Sequence, residues 1–538
     1  MTDQLVKKNI LLKIILVLGF LIIFGRLVEL QVVKGNYYRN LSDGNRIRRV
    51  KIVAPRGEIY ARGGEVVVGN AENPKRVFFD SQMGYIKESI PDSEKDMGSI
   101  VEYKRIYPMG MDSSHISGYL GKVTESELNK VDGNCPDKGV RNSEDWIGRS
   151  GLEQYYDCLL RGVDGEELIE VESNGQRVRT LGIKDPVKGG DLKTTLDFPL
   201  QEYIAKLLTN QKGAIVATDG FGEVLASYSS PSFDSSAFVV GNGDVISKIF
   251  ADKDLPLLNR TIAGIYAPGS IFKPLVSLAA LEEEKINPDW TYVDTGRISF
   301  QTIYGDYTYN NWFFTQYGGT EGKIEITKAI ARSTDTFFYK VGEELGIDNL
   351  VNWARKLGLG SVTGIDIPGE VGGLVPDPVW KEKTKGERWF LGNTYHLAIG
   401  QGDLLVTPMQ MNIATSVIAN GGRLCSAHFA SVGRHCLDLN IKSENLDLVK
   451  TGMEKACSTG GTGFTFFDFE EKHDIKVGCK TGTAEVGSDD ETHAWFSVFA
   501  PIDNPQIVLT VLIEKGGEGS KVAGPIARDI FDFWFSKK

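Results

Sequence analysis

The chain has little cysteine, no surplus of basic residues, and no repeat or low-complexity stretch. It holds 6 Cys and 6 His among 538 residues. So few cysteines exclude a disulfide scaffold standing in for a hydrophobic core, although six would fit an oxidising compartment without requiring one. Lys and Arg number 60 against 71 Asp and Glu, a formal charge of −11. That balance argues against non-specific nucleic-acid binding, which needs a basic face. With 41% hydrophobic and 24% charged residues, the composition is ordinary for globular proteins, and overall disorder or a collagen-like chain is excluded. At roughly 100–200 residues per domain, the length allows two to four domains with sizeable cores.

The longest apolar run lies at the N-terminus. Residues Ile10 to Gly25 are apolar except for Lys13, and Leu27, Val28 and Leu30 extend the run past Arg26. A spanning helix needs about 17–25 mostly apolar residues, so the run suffices if its flanking charges snorkel. Lys7, Lys8 and Lys13 at its start predict a cytoplasmic tail over 1–9, a transmembrane helix over 10–30 and an extracytoplasmic remainder, a single pass. A cleaved signal peptide is the rival. Gly25-Arg26-Leu27-Val28-Glu29 is a poor cleavage site, which favours an uncleaved anchor. The lysines and the terminal position disfavour a buried core helix.

Cys425, His428, His435 and Cys436 form one group with side chains that could hold zinc. Their spacing is no familiar finger, and 420–433 reads as a turn and two short strands. A local Cys425–Cys436 disulfide, two free thiols and a metal all stay open; six cysteines allow 15 pairings.

Residues 31–190 read as short strands and turns, with strands at Val50 to Val53 and Val66 to Val68 around Pro55-Arg56-Gly57, and a short capped helix over 124–130. From Asp191 the pattern changes. An amphipathic helix is predicted from Pro199 to Thr209, then paired strands from Gly213 to Thr218 and Val224 to Tyr228. A helix buried on most faces is predicted over 271–285. A second strand pair, Ala494 to Ala500 and Gln506 to Ile513, precedes a closing helix from Ala523 to Phe535. Strands at both ends with helices between predict one sheet assembled from distant segments and covered by helices.

Ser270-Ile271-Phe272-Lys273 is the one Ser-x-x-Lys in the chain. Pro268-Gly269 breaks structure before it and Pro274 is tolerated in a first helical turn, which puts Ser270 at a helix start with Lys273 one turn on, on the same face. A serine hydroxyl needs a base to become a nucleophile. A desolvated lysine beside another cation has a depressed pKa and can be that base. By itself the motif is no more than a helix N-cap. Ser333-Thr334-Asp335, ahead of the apolar run Thr336 to Tyr339, could supply a second hydroxyl to relay protons and a polar group to bind an amide. Ser-x-Asp or Ser-x-Asn also occurs at Ser143, Ser232, Ser443 and Ser488, so it means nothing alone. Lys-Thr-Gly occurs at Lys450 and at Lys480. Leu446, Val449, Met453 and Ala456 recur at helical spacing and place the first copy within an amphipathic helix. The second precedes a predicted strand. On an edge strand Gly482 would let a substrate backbone approach, Lys480 would bring charge, and Thr481 and Thr483 hydroxyls. The chemistry is therefore assigned to 480–483.

Ser-x-x-Lys, Ser-x-Asp and Lys-Thr-Gly in this order resemble the motifs of penicillin-binding proteins and serine β-lactamases. Pro256 to Arg260, Tyr266 to Lys273, Ile399-Gly-Gln-Gly402, Thr407 to Gln410 and Ala419 to Gly422 look like the class B transpeptidases. Pro55 to Ile59, Arg105 to Pro108, His115, Gly118-Tyr119 and Gly151-Leu152-Glu153 look like that family's membrane-proximal pedestal. Ser-x-Asp and the Trp389 to Gly402 stretch resemble the elongation-type branch, penicillin-binding protein 2. The resemblance covers nearly the whole chain. It implies an α+β chain: an N-terminal transmembrane helix, a mostly β pedestal or dimerisation-like domain over 31–190, and a transpeptidase domain over 191–538 with an antiparallel sheet sandwiched by helices.

It further implies a D,D-transpeptidase that cross-links peptidoglycan stem peptides during cell-wall elongation and shape maintenance. Ser270 would attack the D-Ala-D-Ala bond and Lys273 would be the base. Ser333 would pass protons to the leaving amine, and Asp335 would position substrate or Lys273. Lys480 and Thr481 would bind the substrate carboxylate, with Thr483 near it. Backbone N–H groups of Ser270 and Thr483 would form the oxyanion hole, and β-lactams would acylate Ser270. No cofactor is implied. Some elongation-type relatives carry zinc between the first two motifs, but no Cys or His lies between Lys273 and Ser333, so none is expected there. About 160 residues between anchor and transpeptidase domain are too few for a glycosyltransferase domain, which implies a SEDS-type polymerase partner and other membrane proteins of an elongation complex. One pedestal motif departs from the family, with Ala61-Arg62-Gly63-Gly64 where Asp-Arg-Asn-Gly is usual. Two alternatives stand: a carboxypeptidase or β-lactamase-like hydrolase, and a non-catalytic scaffold that activates a polymerase. His396 either lines the cleft or is a packed histidine.

Overall fold

The computed structural model describes residues 2–80, 84–95, 99–128, 135–172, 176–302, 305–431, 433–487 and 491–536. Its contacts divide the chain into two units. One comprises 1–57, 70–104 and 161–190; the other comprises 58–69, 105–160 and 191–538.

The first unit begins with the helix Thr2–Val28, which leads through a π-helical turn, Glu29–Val33, into the helix Gly35–Arg46. Over Val6–Val33 the chain is apolar enough and long enough to cross a membrane, and none of that stretch is buried. A wholly exposed apolar helix of this length lacks the covered face that a core helix needs. Beyond it, Ile47–Ile52, Gly165–Val171 and Arg177–Lys184 form an antiparallel three-stranded sheet. A small core of Val50, Ile100, Ile169 and Val171 serves this unit.

The second unit holds the large core. Five strands form its central sheet: β1 (Gly213–Thr218), β2 (Val224–Ser230), β3 (Gly478–Glu485), β4 (Thr492–Ala500) and β5 (Ile507–Ile513). The order is β2-β1-β5-β4-β3 and every pairing is antiparallel. Side chains alternate between the two faces, as the strand period requires. On β4, Ala494, Phe496, Val498 and Ala500 join the core on the side of the helices Phe198–Leu207 and Ala523–Ser536; Trp495 and Phe499 join the opposite core with the helices Lys273–Glu282 and Pro408–Ala419. Helices on both faces explain why β1, β4 and β5 read as almost unbroken apolar runs.

Local chemistry sets the helix starts. Asp197 caps Phe198–Leu207 by accepting from the Leu200 N–H at 3.0 Å, and Pro199 fits the first turn. Thr407 and Gln410 make a reciprocal capping box ahead of Pro408–Ala419.

Two expectations change. The segment after Thr124 forms only the 3-10 turn Glu125–Glu127, closed by Thr124 and Glu127; residues 129–130 lie outside the described residues. Among the described residues between 420 and 433 there is one strand, Arg423–Cys425, which pairs with Cys436–Asp438, and isolated bridges at His428 and Ala430 stand where the second was expected. Residues 58–69 and 105–160, read from sequence as pedestal, share the second unit with 191–538. The physical reason is specific pairing: Ile59 and Tyr60 run parallel to Leu192 and Lys193, Tyr156 donates to Asp366 at 2.7 Å, and Gln201 donates to the Asp112 carbonyl at 2.6 Å. In the departing motif the Gly64 N–H donates to the Ala61 carbonyl at 3.0 Å, so the main chain closes the turn without the missing carboxylate.

Candidate active site

Ser270 lies in the 3-10 turn Gly269–Phe272, and Lys273 opens the helix that follows. The turn is wedged between edge strand β3 and the loop after the helix Leu391–Ala398. The Gly269 N–H donates to the Gly400 carbonyl at 2.8 Å, and Tyr266 exchanges two 2.9 Å backbone hydrogen bonds with Val406. Gly269 and Gly400 both have positive φ (57° and 76°). A Cβ on Gly269 would sit 2.7 Å from the Thr483 carbonyl oxygen, and one on Gly400 would overlap the Gly269 carbonyl. Glycine is required at both for conformation and for space. Upstream, Glu514 accepts from Arg260 Nε at 2.8 Å and Tyr266 Oη at 2.6 Å, and Trp495 Nε1 donates to the Ala267 carbonyl at 2.9 Å. The family-like residues 260, 266 and 399–402 are thus the clamp on the serine turn.

Lys273 is fully buried. Its Nζ donates to Asp335 Oδ1 at 2.6 Å, to the Ser333 carbonyl at 2.8 Å and to Ser333 Oγ at 3.3 Å. Ser333 ends the helix Ile326–Arg332 in the left-handed region, φ 56°. That conformation costs a non-glycine residue about 1–2 kcal/mol, and here it presents Oγ to two lysines at once. Lys480 Nζ donates to the same Oγ at 2.8 Å and to the Thr481 carbonyl at 3.0 Å. Burial lowers the pKa of Lys273, against the attraction of Asp335. Burial also holds Lys480 well below the ordinary lysine value, and the charge on Lys273 adds to it. Two buried amines beside one carboxylate form a group in which a proton is easily given up.

A cleft of about 690 Å³ is lined by Ser270, Ser333, Asp335, Thr481 and Thr483, with His396 and Gln401 on its wall. A second cavity of about 420 Å³, beside Cys425 and Cys436, contains none of the motif residues. Lys273 and Lys480 lie beneath the cleft and reach it through Ser333. Gly482 packs on the serine turn, where an added Cβ would stand 3.0 Å from Ile271. All eight residues expected from the motifs are therefore gathered at or under one cleft. Lys450 sits in the helix Ser443–Ala456 and does not line the cleft. Among the described residues the Ser270 hydroxyl makes no hydrogen bond, so no neighbour occupies its lone pairs.

Sequence reasoning missed the frame around Asp335. Its N–H donates to Asn311 Oδ1 at 3.1 Å, its Oδ2 accepts from the Trp312 N–H at 2.9 Å, and Trp312 Nε1 donates to the Arg332 carbonyl at 3.1 Å. No motif marks Asn311 or Trp312. Thr462, which accepts from Thr481 Oγ1 at 2.9 Å, was likewise invisible. Cysteine pairing is now visible. Cys425 bonds Cys436, one of the alternatives left open, and Cys457 bonds Cys479, next to Lys480. His396 lines the cleft and packs edge-on against Tyr309, 5.6 Å between centroids; burial lowers its pKa.

A Ser-x-x-Lys, a Ser-x-Asp and a Lys-Thr-Gly brought to one cleft at the edge of a helix-covered antiparallel sheet define the penicillin-interacting class of folds. The comparisons agree. Residues 213–532 match the penicillin-binding protein transpeptidase domain and 80–194 the penicillin-binding protein dimerisation domain. The peptidoglycan D,D-transpeptidase MrdA of Haemophilus influenzae is 30% identical over 96% of this chain and 90% of its own length; that of Escherichia coli K12 is 31% identical over 96% and 92%. The penicillin-binding protein 2 of Helicobacter pylori, solved in complex with MreC, superposes with a TM-score of 0.78 at 28% identity over 91% of this chain and 99% of that one. That of Pseudomonas aeruginosa, solved with WCK 5153, gives 0.72 at 30% identity over 90% and 96%. The chain belongs to the penicillin-binding protein transpeptidase family.

Proposed function

We propose that this chain is a membrane-anchored peptidoglycan D,D-transpeptidase that works through an acyl-enzyme on Ser270. The observation that carries the reading is the convergence of two pKa-depressed lysines on Ser333 Oγ beneath a cleft that exposes Ser270. Ser270 Oγ attacks the carbonyl carbon of the D-Ala-D-Ala bond, and neutral Lys273 takes its proton. The developing oxyanion lies between the Ser270 and Thr483 N–H groups; one such donor is commonly worth about 3–4 kcal/mol. As the C–N bond breaks, Ser333 gives a proton to the leaving D-Ala amine and is refilled from Lys273. An amine of a neighbouring stem then attacks the ester, its proton returns by the same route, and the new amide leaves Ser270 free.

Lys480 is placed to act through Ser333 as well as by its charge. The substrate carboxylate, arriving at Thr481 and Thr483, raises the affinity of Lys480 for a proton. That proton moves from Lys273 through Ser333 and leaves Lys273 ready as the base. Asp335 is a positioning residue, holding Lys273 at 2.6 Å.

The test is direct. After treatment with benzylpenicillin, peptide mapping by mass spectrometry is expected to find the adduct on Ser270, and Ser270→Ala is expected to carry none. An adduct elsewhere, or an adduct on the variant, overturns the reading. The pH dependence has a definite sign. A lysine of lowered pKa is neutral at higher pH, so the acylation rate rises with pH and levels off below the ordinary lysine value of 10.5. Asp335→Asn removes the attraction that holds the proton on Lys273, so the rising limb moves to lower pH; a stopped-flow pH profile of both proteins checks this.

For partners, we propose a SEDS-type membrane polymerase within an elongation complex, and for the helix Thr2–Val28 a single pass with its N-terminus inside. A further structural match, titled as a peptidoglycan synthase complex that coordinates polymerization and crosslinking, superposes with a TM-score of 0.76 over 98% of each chain, which supports such a partner.

A further inference from the structure

Alternation along edge strand β3 puts Thr481, Thr483 and Glu485 on one face, and all three line the cleft. Two of the carboxylates in the cleft wall are already neutralised: Asp335 pairs with Lys273 at 2.6 Å and Glu518 with Lys521 at 2.9 Å. The cleft's other cation, Arg332, is paired with Glu321 at 2.7 Å. Glu485 is the third carboxylate, exposed, and among the described residues it has neither a cation nor a hydrogen-bond donor. On the same wall, burial lowers the pKa of His396 against the attraction of Glu485, which disfavours a charged imidazole as its partner. A surface carboxylate without a partner is common. One in step with the substrate-binding threonines is not explained by solvent exposure alone.

We propose that Glu485 receives a primary ammonium group of the stem peptide beside the scissile bond and so selects amine-bearing substrates. This rests on the acyl-transfer reading above. With the substrate carboxylate at Thr481 and the serine turn against Thr483, the acyl portion continues along β3 toward Glu485, about 7 Å further on. Cross-linking joins an amine of one stem to the acyl group of another, so an ammonium enters this cleft in every cycle. It can come from the donor, on the residue preceding D-Ala-D-Ala, or from the acceptor.

The experiment uses the full-length protein and Glu485→Gln, which keeps shape and removes charge. For the donor, the ratio of acylation rates for ampicillin and benzylpenicillin, which differ by one amine in the acyl side chain, is measured on both proteins. For the acceptor, the acyl-enzyme formed from Nα,Nε-diacetyl-Lys-D-Ala-D-Ala is partitioned between water and Nα-acetyl-lysine amide. A fall of about three- to tenfold in the ampicillin-to-benzylpenicillin ratio in the variant supports a donor amine. An unchanged ratio with a similar fall in the aminolysis share supports an acceptor amine. No change in either overturns the proposal. A purely structural role for Glu485 would slow both penicillins alike and leave both the ratio and the aminolysis share untouched, which also overturns it. Failure of benzylpenicillin to acylate the unmodified protein would instead strike the Ser270 reading, so the two failures are distinguishable.

Discussion

Exchange of Lys273 for methionine is expected to slow acylation of Ser270 by roughly 10²–10⁴-fold, the usual worth of a positioned general base. Methionine fills much of the same buried channel with no group that takes a proton. It also strands Asp335, and breaking a buried ion pair costs about 3–5 kcal/mol of stability. The double variant Lys273→Met with Asp335→Asn separates the two effects, because it no longer strands the Asp335 carboxylate without Lys273. Fluorescent-penicillin labelling rates, together with thermal unfolding, check the prediction: the double variant recovers stability and not acylation. Recovery of labelling in the double variant would show that the lysine is structural and the base lies elsewhere.

Glu153→Ala is expected to remove about 3–5 kcal/mol from the stability of the second unit. Glu153 Oε1 accepts from Arg105 Nε at 2.6 Å, with both side chains almost wholly buried (0% and 2% exposed). Alanine removes this carboxylate from a buried guanidinium, and the lost pairing no longer offsets that part of its desolvation. Urea unfolding followed by fluorescence measures the loss. Glu153→Gln, which keeps a hydrogen-bond acceptor, is expected to lose less. A shift below about 1 kcal/mol for alanine would mean that Arg105 finds water or another acceptor. The two residues stand in different family-like motifs, 105–108 and 151–153, and the structure shows the pair as one buried contact.

Much of this was legible in the chain itself, and the reason is local. The strands Gly213–Thr218 and Ile507–Ile513 announce themselves because sheets covered on both faces need continuous apolar residues. The two Lys-Thr-Gly copies were separable because helical spacing around Lys450 contrasts with the strand setting of Lys480. The serine turn was legible because its motif is compact: Pro268, Gly269, Ser270 and Lys273 fall close together in sequence. Asn311, Trp312 and Thr462 left no such mark. They act through backbone or hydroxyl contacts to residues 19 to 24 positions away, and no spacing rule reports that.

The order of residues by itself determined which hydroxyls and amines this protein owns, which segments are apolar on one face or two, and that an unburied apolar helix precedes the rest. The tertiary structure alone decided how those groups meet. It brought Lys480 through the core to the hydroxyl that Lys273 also touches, joined Cys457 to Cys479, and gathered 58–69 and 105–160 with 191–538. The physical reason is that burial and charge proximity, which depress the two lysines, are properties of packing. They do not exist until distant segments share one low-dielectric interior.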